Sequence, residues 1–175
     1  NKKVINVDIH VKKLRYLVPH LDLKNIINYQ ITNLRRIAKY VIIDFDNVKS
    51  IIIHLGMSGR LKIVKPNVEL IKHDHLVFQF NNLKLIFNDP RRFGFVDIVN
   101  SKKISKINYI KKLGIDALDY KLSEDYLFNK LKNSQVLIKQ LLLNQHIVAG
   151  IGNIYACEIL YDAKISPLRR GSSLK

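Results

Sequence analysis

The chain has 175 residues, 47% of them hydrophobic, with 30 Lys+Arg against 14 Asp+Glu and a formal net charge of +16. That length allows one domain or two small ones with a real core, and no apolar run approaches the roughly 18 residues that cross a bilayer, so a membrane-spanning protein is excluded. The single cysteine, Cys157, excludes a disulfide scaffold or multi-cysteine metal site within these residues and fits a reducing cytoplasm, while the charge points to a polyanion, nucleic acid first.

Val4 to Val11 and Tyr40 to Phe45 are β-branched and aromatic runs that read as strands, and Arg35 to Lys39 continues the second one backwards in strand alternation. Ser50 to Leu55 and Arg60 to Val64 flank a turn with two glycines. Leu76 to Phe80 and Leu83 to Phe87 read as a hairpin, with Asn81-Asn82 supplying positive φ, and Phe95 to Val99 adds a strand. From about Ser101 the period changes. Ser123, followed by Glu124 and Asp125, is an N-cap with acids in the first turn. Gln135 to Leu143 reads as an apolar helix, and Asn153 as the cap of another with Ile154, Cys157 and Tyr161 on one face. Ser166-Pro167 onward reads as a turn into one more helix. Sheet first and helices second predicts an α+β chain, with domains at 1–110 and 111–175.

The charge needs discounting. Lys (22), Ile (25) and Asn (16) make 63 of the 175 residues, and A/T-rich codons encode all three. Arginine resists that bias. Six of the eight arginines form pairs, Arg35-Arg36, Arg91-Arg92 and Arg169-Arg170, and these are better pointers than the total.

Several segments carry residue types suited to nucleic acid. In His54-Leu-Gly-Met-Ser-Gly-Arg60 the glycines allow a tight tip from which Met57, the only methionine, either projects as a wedge or folds back onto the core. In Asn88-Asp-Pro-Arg-Arg-Phe-Gly94 an exposed turn presents Arg91, Arg92 and Phe93; extended backbone would put Arg91 and Phe93 on one side. An arginine fork reads base edges and a neighbouring ring wedges the stack, or the pair is a solvated phosphate contact. Lys39 falls with Ile37, Val41, Ile43 and Phe45 on an apolar face; partial desolvation would lower its pKa, against the plainer reading of a strand-end lysine reaching water. His73-Asp-His75 lacks a third metal ligand and suits phosphate or structural hydrogen bonding. Gly150-Ile-Gly-Asn153 is a glycine turn feeding a helix N-terminus, a ready phosphate site.

Arg36-Ile-Ala-Lys-Tyr40, His54-Leu-Gly-Met-Ser-Gly59, Lys72-His-Asp-His75, Asp89-Pro-Arg-Arg-Phe-Gly94 and Gly150-Ile-Gly-Asn-Ile-Tyr-Ala156 occur in one order and spacing that resembles bacterial formamidopyrimidine-DNA glycosylase. The resemblance covers essentially the whole chain. It implies a β-sandwich domain, then a helical domain with a helix–two-turn–helix, and damaged double-stranded DNA as the partner of a monomeric base-excision enzyme of the bacterial cytoplasm. That enzyme removes oxidised purines and nicks the strand by β,δ-elimination through a Schiff base. The resemblance further implies that Met57, Arg91 and Phe93 fill the gap left by the extruded base, with Arg91 facing the orphaned cytosine. It makes Lys39 the lysine of the elimination chemistry, and places His54, His73, Lys139 and Asn153 on the damaged strand.

This sequence also departs from the family pattern. The family's nucleophile is an N-terminal proline beside a glutamate, and the chain opens Asn1-Lys2-Lys3. The four-cysteine zinc finger, with its one zinc, and the lesion-sensing loop have no counterpart here. Near Ser134-Gln135, where members of that family can carry a basic residue before the helix, the chain is neutral. The expectation is a segment of a longer enzyme, inactive alone, that supplies DNA binding and void filling. A non-catalytic remnant of a degraded or split gene is the alternative, and the branch acting on oxidised pyrimidines is disfavoured by the intact Met57/Arg91/Phe93 set.

Overall fold

Alternating isoleucine, valine and phenylalanine decide the first half of the chain. The computed structural model describes residues 2–174 and divides into two compact units, Asn1–Ser105 and Lys106–Lys175. The first unit holds strands β1 (Asn6–Ile9), β2 (Ile31–Ile37), β3 (Tyr40–Phe45), β4 (Lys49–His54), β5 (Arg60–Val64), β6 (Asp74–Phe80), β7 (Leu83–Asn88) and β8 (Phe95–Asn100), with the short helix α1 (His20–Lys24) before β2. They form two antiparallel four-stranded sheets, ordered β1-β6-β7-β5 and β2-β3-β4-β8. Side chains two apart share a sheet face, so Ile43, Phe45, Ile51 and Ile53 of one sheet meet Leu76, Phe78 and Phe87 of the other in a single core. Each such burial stabilises the sandwich by about 1.5–3 kcal/mol.

This topology brings two loops together. Residues 55–59 run from β4 to β5, and residues 89–94 run from β7 to β8. His54 lies opposite Phe95 in one sheet and Arg60 opposite Asn88 in the other. Both connections therefore cross between the sheets at the same end of the sandwich.

The second unit contains α2 (Asn108–Lys111), α3 (Glu124–Leu131), α4 (Ile138–Leu143) and α5 (Asn153–Asp162). A two-residue parallel pair, β9 (Ile115–Asp116) with β10 (Val148–Ala149), ties its start to the α4–α5 connection. Its core gathers Leu131, Ile138, Leu141, Leu142, Val148, Ile151, Ala156 and Leu160. Ser123 caps α3 as the sequence predicts, its Oγ accepting the Tyr126 N–H at 3.1 Å. Where the sequence reading divides the chain at 110/111, the compact units divide at Ser105/Lys106, and α2 lies in the helical one.

Several local expectations are corrected. Ala38-Lys39 is the two-residue tip of the β2–β3 hairpin and not strand; Ala38 takes φ 50°, the positive value that a tight hairpin turn requires at its first position. The Asn81-Asn82 tip, by contrast, contains no positive φ, and Lys2 Nζ instead donates to Asn82 Oδ1 at 2.8 Å. Residues 135–137 are not helical, because tertiary hydrogen bonds claim that stretch. Leu137 pairs with Arg170, Val136 O accepts the Gly171 N–H, and α4 starts only at Ile138, whose N–H reaches Arg169 O at 2.7 Å. Asn153 is the first residue of α5, and its cap is Gly152. The face carrying Ile154, Cys157 and Tyr161 is exposed, while Ala156 and Leu160 enter the core. Among the described residues, the segment after Ser166 holds a turn and a short 3-10 turn at Gly171–Ser173.

Candidate nucleic-acid interface

The two crossing loops are locked to each other by one buried carboxylate. Asp89 is 0% exposed. Its Oδ1 accepts from Ser58 Oγ at 2.6 Å in the first loop, and its Oδ2 accepts from the Gly94 N–H at 2.8 Å in its own. Ser58 Oγ in turn accepts from the Arg91 N–H at 3.3 Å. His75, also buried, donates from Nε2 to Asp89 O at 2.9 Å, and the Asp89 N–H reaches His73 O. The backbones touch as well. A Cβ on Gly56, which sits at φ +64°, would lie 2.6 Å from Gly94 N and from Phe93 C. Glycine at 56 is thus required twice, by its conformation and by the neighbouring loop.

On this rigid platform the apolar and cationic groups point outward. Met57 is 73% exposed and Phe93 46%, so Met57 projects and does not fold back onto the core. The Arg91 guanidinium lies 4.5 Å from the centroid of the Phe93 ring. Arg91 and Phe93 share a side, as expected, although the chain between them is not extended: Arg92 has φ 57°. That turn sends Arg92 into a recess with Lys72, Asp74 and the imidazoles of His10, His73 and His75. His73 itself sits at φ 73° just before β6. Asp74, buried, shapes that bend by accepting from Lys62 Nζ (2.7 Å), Asn88 Nδ2 (2.8 Å) and the Ile71 N–H (3.0 Å). Burial alone would raise its pKa, but these hydrogen bonds outweigh that effect and lower it.

A second cationic group surrounds the hairpin tip. Desolvation lowers the Lys39 pKa below the ordinary lysine value, although the residue as a whole is exposed. His54 stacks on Phe95 with centroids 5.6 Å apart, and Tyr40 lies 5.2 Å from the His54 ring. Burial first, then the charges of Arg15 and Lys39, lower the His54 pKa. The Gly56 N–H donates to His54 Nδ1 at 3.1 Å, so the neutral ring keeps its proton on Nε2, a donor suited to a phosphate oxygen.

In the helical unit, Asn153 is exposed at the start of α5, after Gly150 (φ 101°) and Gly152, and no side chain caps that end. Lys139 of α4 lines a groove with Cys157, Leu160, Tyr161 and Lys164, alongside the later part of α5. Asn153 is not among the residues around that groove, so the two do not share one recess. At the neutral Gln135, Arg170 Nη1 donates to Oε1 at 3.0 Å, which brings a guanidinium beside that position.

Comparison with known proteins is decisive. Residues 1–96 match the formamidopyrimidine-DNA glycosylase N-terminal domain, and residues 113–175 match the formamidopyrimidine-DNA glycosylase H2TH domain. The chain belongs to the formamidopyrimidine-DNA glycosylase family. It is 43% identical over 171 residues to the Rickettsia canadensis enzyme of that name, covering 97% of this chain and 62% of that protein. It is 41% identical over 176 residues to the Wolbachia pipientis one, covering 99% and 64%. A Lactococcus lactis Fpg bound to DNA containing an abasic site superposes with TM-score 0.92 at 30% identity, covering 99% of this chain and 64% of that one. A MutM complex with DNA containing carbocyclic 8-oxo-G gives the same TM-score of 0.92, with 99% and 65% covered. The chain thus spans less than two thirds of the length of these relatives.

Among the described residues no group of three or more His, Cys, Asp or Glu is placed to hold a metal ion, so the zinc that the family implies has no fitting ligand set among them. No helix is long and apolar enough to cross a membrane. Sequence reasoning misses Asp89 and Ser58 as the lock between the loops, and Asp74 and Arg92 around His73. The one signal for Asp89 is its place before Pro90, which by itself marks only a turn.

Proposed function

We propose that this chain is the DNA-engaging portion of a base-excision glycosylase acting on oxidised purines such as 8-oxoguanine and formamidopyrimidines. The observation that carries this reading is the loop pair joined through Asp89, Ser58 and the Gly56–Gly94 contact, with Met57, Phe93 and Arg91 outward. A lesion base cannot be reached inside the duplex, so it is rotated out, and the vacancy must be filled. Exposed Met57 and Phe93 are apolar wedges for the stack, and Arg91, backed by the Phe93 ring, offers a planar fork to the orphaned cytosine. His54 with its Nε2 proton, His73 with the neighbouring Arg92 and Lys72, and Asn153 at its helix start take phosphate oxygens of the damaged strand. Lys139 is a further cation of the helical unit.

In the whole enzyme, an N-terminal secondary amine would attack the sugar C1′, displace the base and form the Schiff base from which the strand is nicked. Lys39, made more acidic by desolvation, would transfer a proton in that elimination. The 175 residues are proposed to bind damaged DNA without cleaving it.

The test is fluorescence anisotropy with a duplex carrying a tetrahydrofuran abasic analogue opposite cytosine, against the undamaged duplex, at stated salt. Tighter binding of the lesion duplex is expected, with no adduct trapped by borohydride on an 8-oxoguanine:cytosine substrate. Equal affinity for both duplexes overturns the DNA-engaging reading, and a trapped adduct overturns the inactivity of the chain.

A further inference from the structure

The start of α5 is the part of the proposed interface in the helical unit that relies on main-chain geometry, and no side chain caps it. A helix N-terminus takes a phosphate only if its N–H groups are held at a fixed angle. The turn before it, Gly150-Ile151-Gly152, contains two of the chain's seven glycines, the residue type with most freedom to lose. Something must restrain that turn.

One amide does so. Gln145 Nε2 donates to Leu143 O at 2.9 Å, at the last residue of α4, and to Ile151 O at 2.9 Å, two residues before α5. Its Oε1 accepts from the Gly150 N–H, also at 2.9 Å. Both donors and the acceptor of one side chain are therefore spent on the main chain at the two ends of the connection. Gln145 itself is anchored, because its carbonyl accepts from the Gly114 N–H at 2.9 Å. Gly114 is fixed in turn: a Cβ there would lie 2.2 Å from Ile147 O. The Tyr126 hydroxyl donates to that same Ile147 oxygen at 2.9 Å. The connection is thus pinned from three directions, and it is the Gln145 side chain that reaches the turn feeding the helix.

The geometry points to Gln145 as a positioning residue that staples the end of α4 to the Gly150–Gly152 turn, so that Asn153 and the first-turn N–H groups of α5 face a DNA phosphate. It touches no DNA itself and acts through Asn153. This rests on the DNA-engaging reading above.

Gln145→Met keeps the length of the side chain, adds no charge and removes all three bonds. In the 175-residue chain it is expected to weaken binding to the tetrahydrofuran duplex by about tenfold. The slope of log affinity against log salt should flatten by about one, as when one phosphate is no longer engaged. Asn153→Ala added to Gln145→Met should cost nothing more, since both act on the same phosphate. Gln145→Glu presents a carboxylate to two carbonyls. Relative to the parent, its binding should recover as acid restores an O–H donor, a pH profile that a packing defect would not give. Unchanged affinity and slope in Gln145→Met, or full additivity with Asn153→Ala, overturns the proposal. Should that variant not fold, amide hydrogen exchange on the parent chain decides: protection of the Gly150 N–H is expected, and exchange as fast as in an unstructured peptide refutes the staple. Failure of the parent chain to bind the duplex would count against the DNA reading alone, leaving the exchange measurement to judge Gln145.

Discussion

Replacing Asp89 by alanine removes the lock between the two crossing loops. Two donors lose their acceptor, the Gly94 N–H and the Ser58 hydroxyl. A buried donor left without a partner costs about 1–3 kcal/mol. Gly94 is buried and water cannot replace the missing oxygen, so it takes the middle of that range; Ser58 is half-buried and can turn to water, so it takes the low end. The sum is about 3 kcal/mol, a large part of the roughly 5–15 kcal/mol that typically holds a domain together. With a urea slope of about 1–3 kcal/mol/M, the midpoint should fall by roughly 1–3 M. The chain has eight tyrosines and no tryptophan, so unfolding is followed by tyrosine fluorescence together with circular dichroism. Asp89→Asn is the control. It keeps the shape and one oxygen for Gly94, and the Ser58 hydroxyl can rotate to accept from the introduced amide. Its cost should stay below about 1.5 kcal/mol, the worth of a single ordinary hydrogen bond. An Asp89→Ala midpoint indistinguishable from the parent would refute the claim that this carboxylate holds the loops.

Four other substitutions test further links. Gly56→Ala introduces a Cβ 2.6 Å from the facing backbone at a φ of +64°, and strain plus overpacking should cost about 2–4 kcal/mol in the same urea assay. His54 has its pKa lowered from 6.5, so the unfolded chain takes up a proton first as pH falls; its contribution to stability is present above pH 6.5 and is lost as pH drops through the folded value. His54→Gln should remove that part of the pH dependence, and an unchanged profile between about pH 5 and pH 7, compared by urea midpoints, argues against it. Arg91→Ala should erase about 1–3 kcal/mol of preference for cytosine opposite the lesion, whereas Lys112→Ala should mainly reduce the salt slope by about one; anisotropy across the four opposite bases separates them.

The residues of the candidate interface are legible in the sequence because their loops depend on local chemistry. Gly56 and Gly59, Pro90 and Gly94, and Gly150 and Gly152 mark turns wherever they stand, and Met57, Arg91 and Phe93 lie on those turns, although Ile151 between the last two glycines is buried in the core. The strands around them are legible for the same reason: alternation of isoleucine, valine and phenylalanine is a local pattern with one stable use. Lys39 shows where that pattern misleads. Ile37 and Val41 alternate around it as they would in a strand, yet the chain reverses at Ala38, and a positive φ has no signature in an alanine.

By itself, then, the sequence determined most of the strands, though not the part of β2 before Arg35, and which turns carry Met57, the Arg91–Phe93 pair and a helix start; it left open whether Met57 projects. It also pointed to the family, through five motifs in one order and spacing. Only the tertiary structure decided that residues 55–59 and 89–94 cross between the sheets at one end, because that follows from which strands pair. It also decided that the stretch from Gln135 to Leu137 joins Arg170 and Gly171 in place of a helix, since partners far along the chain compete for the same backbone groups. Most of all it decided the roles of Asp89 and Gln145. A carboxylate in a turn and an amide after a helix are ordinary in a sequence, and they become supports only when the groups they hold, remote or across a connection, are brought within hydrogen-bonding distance.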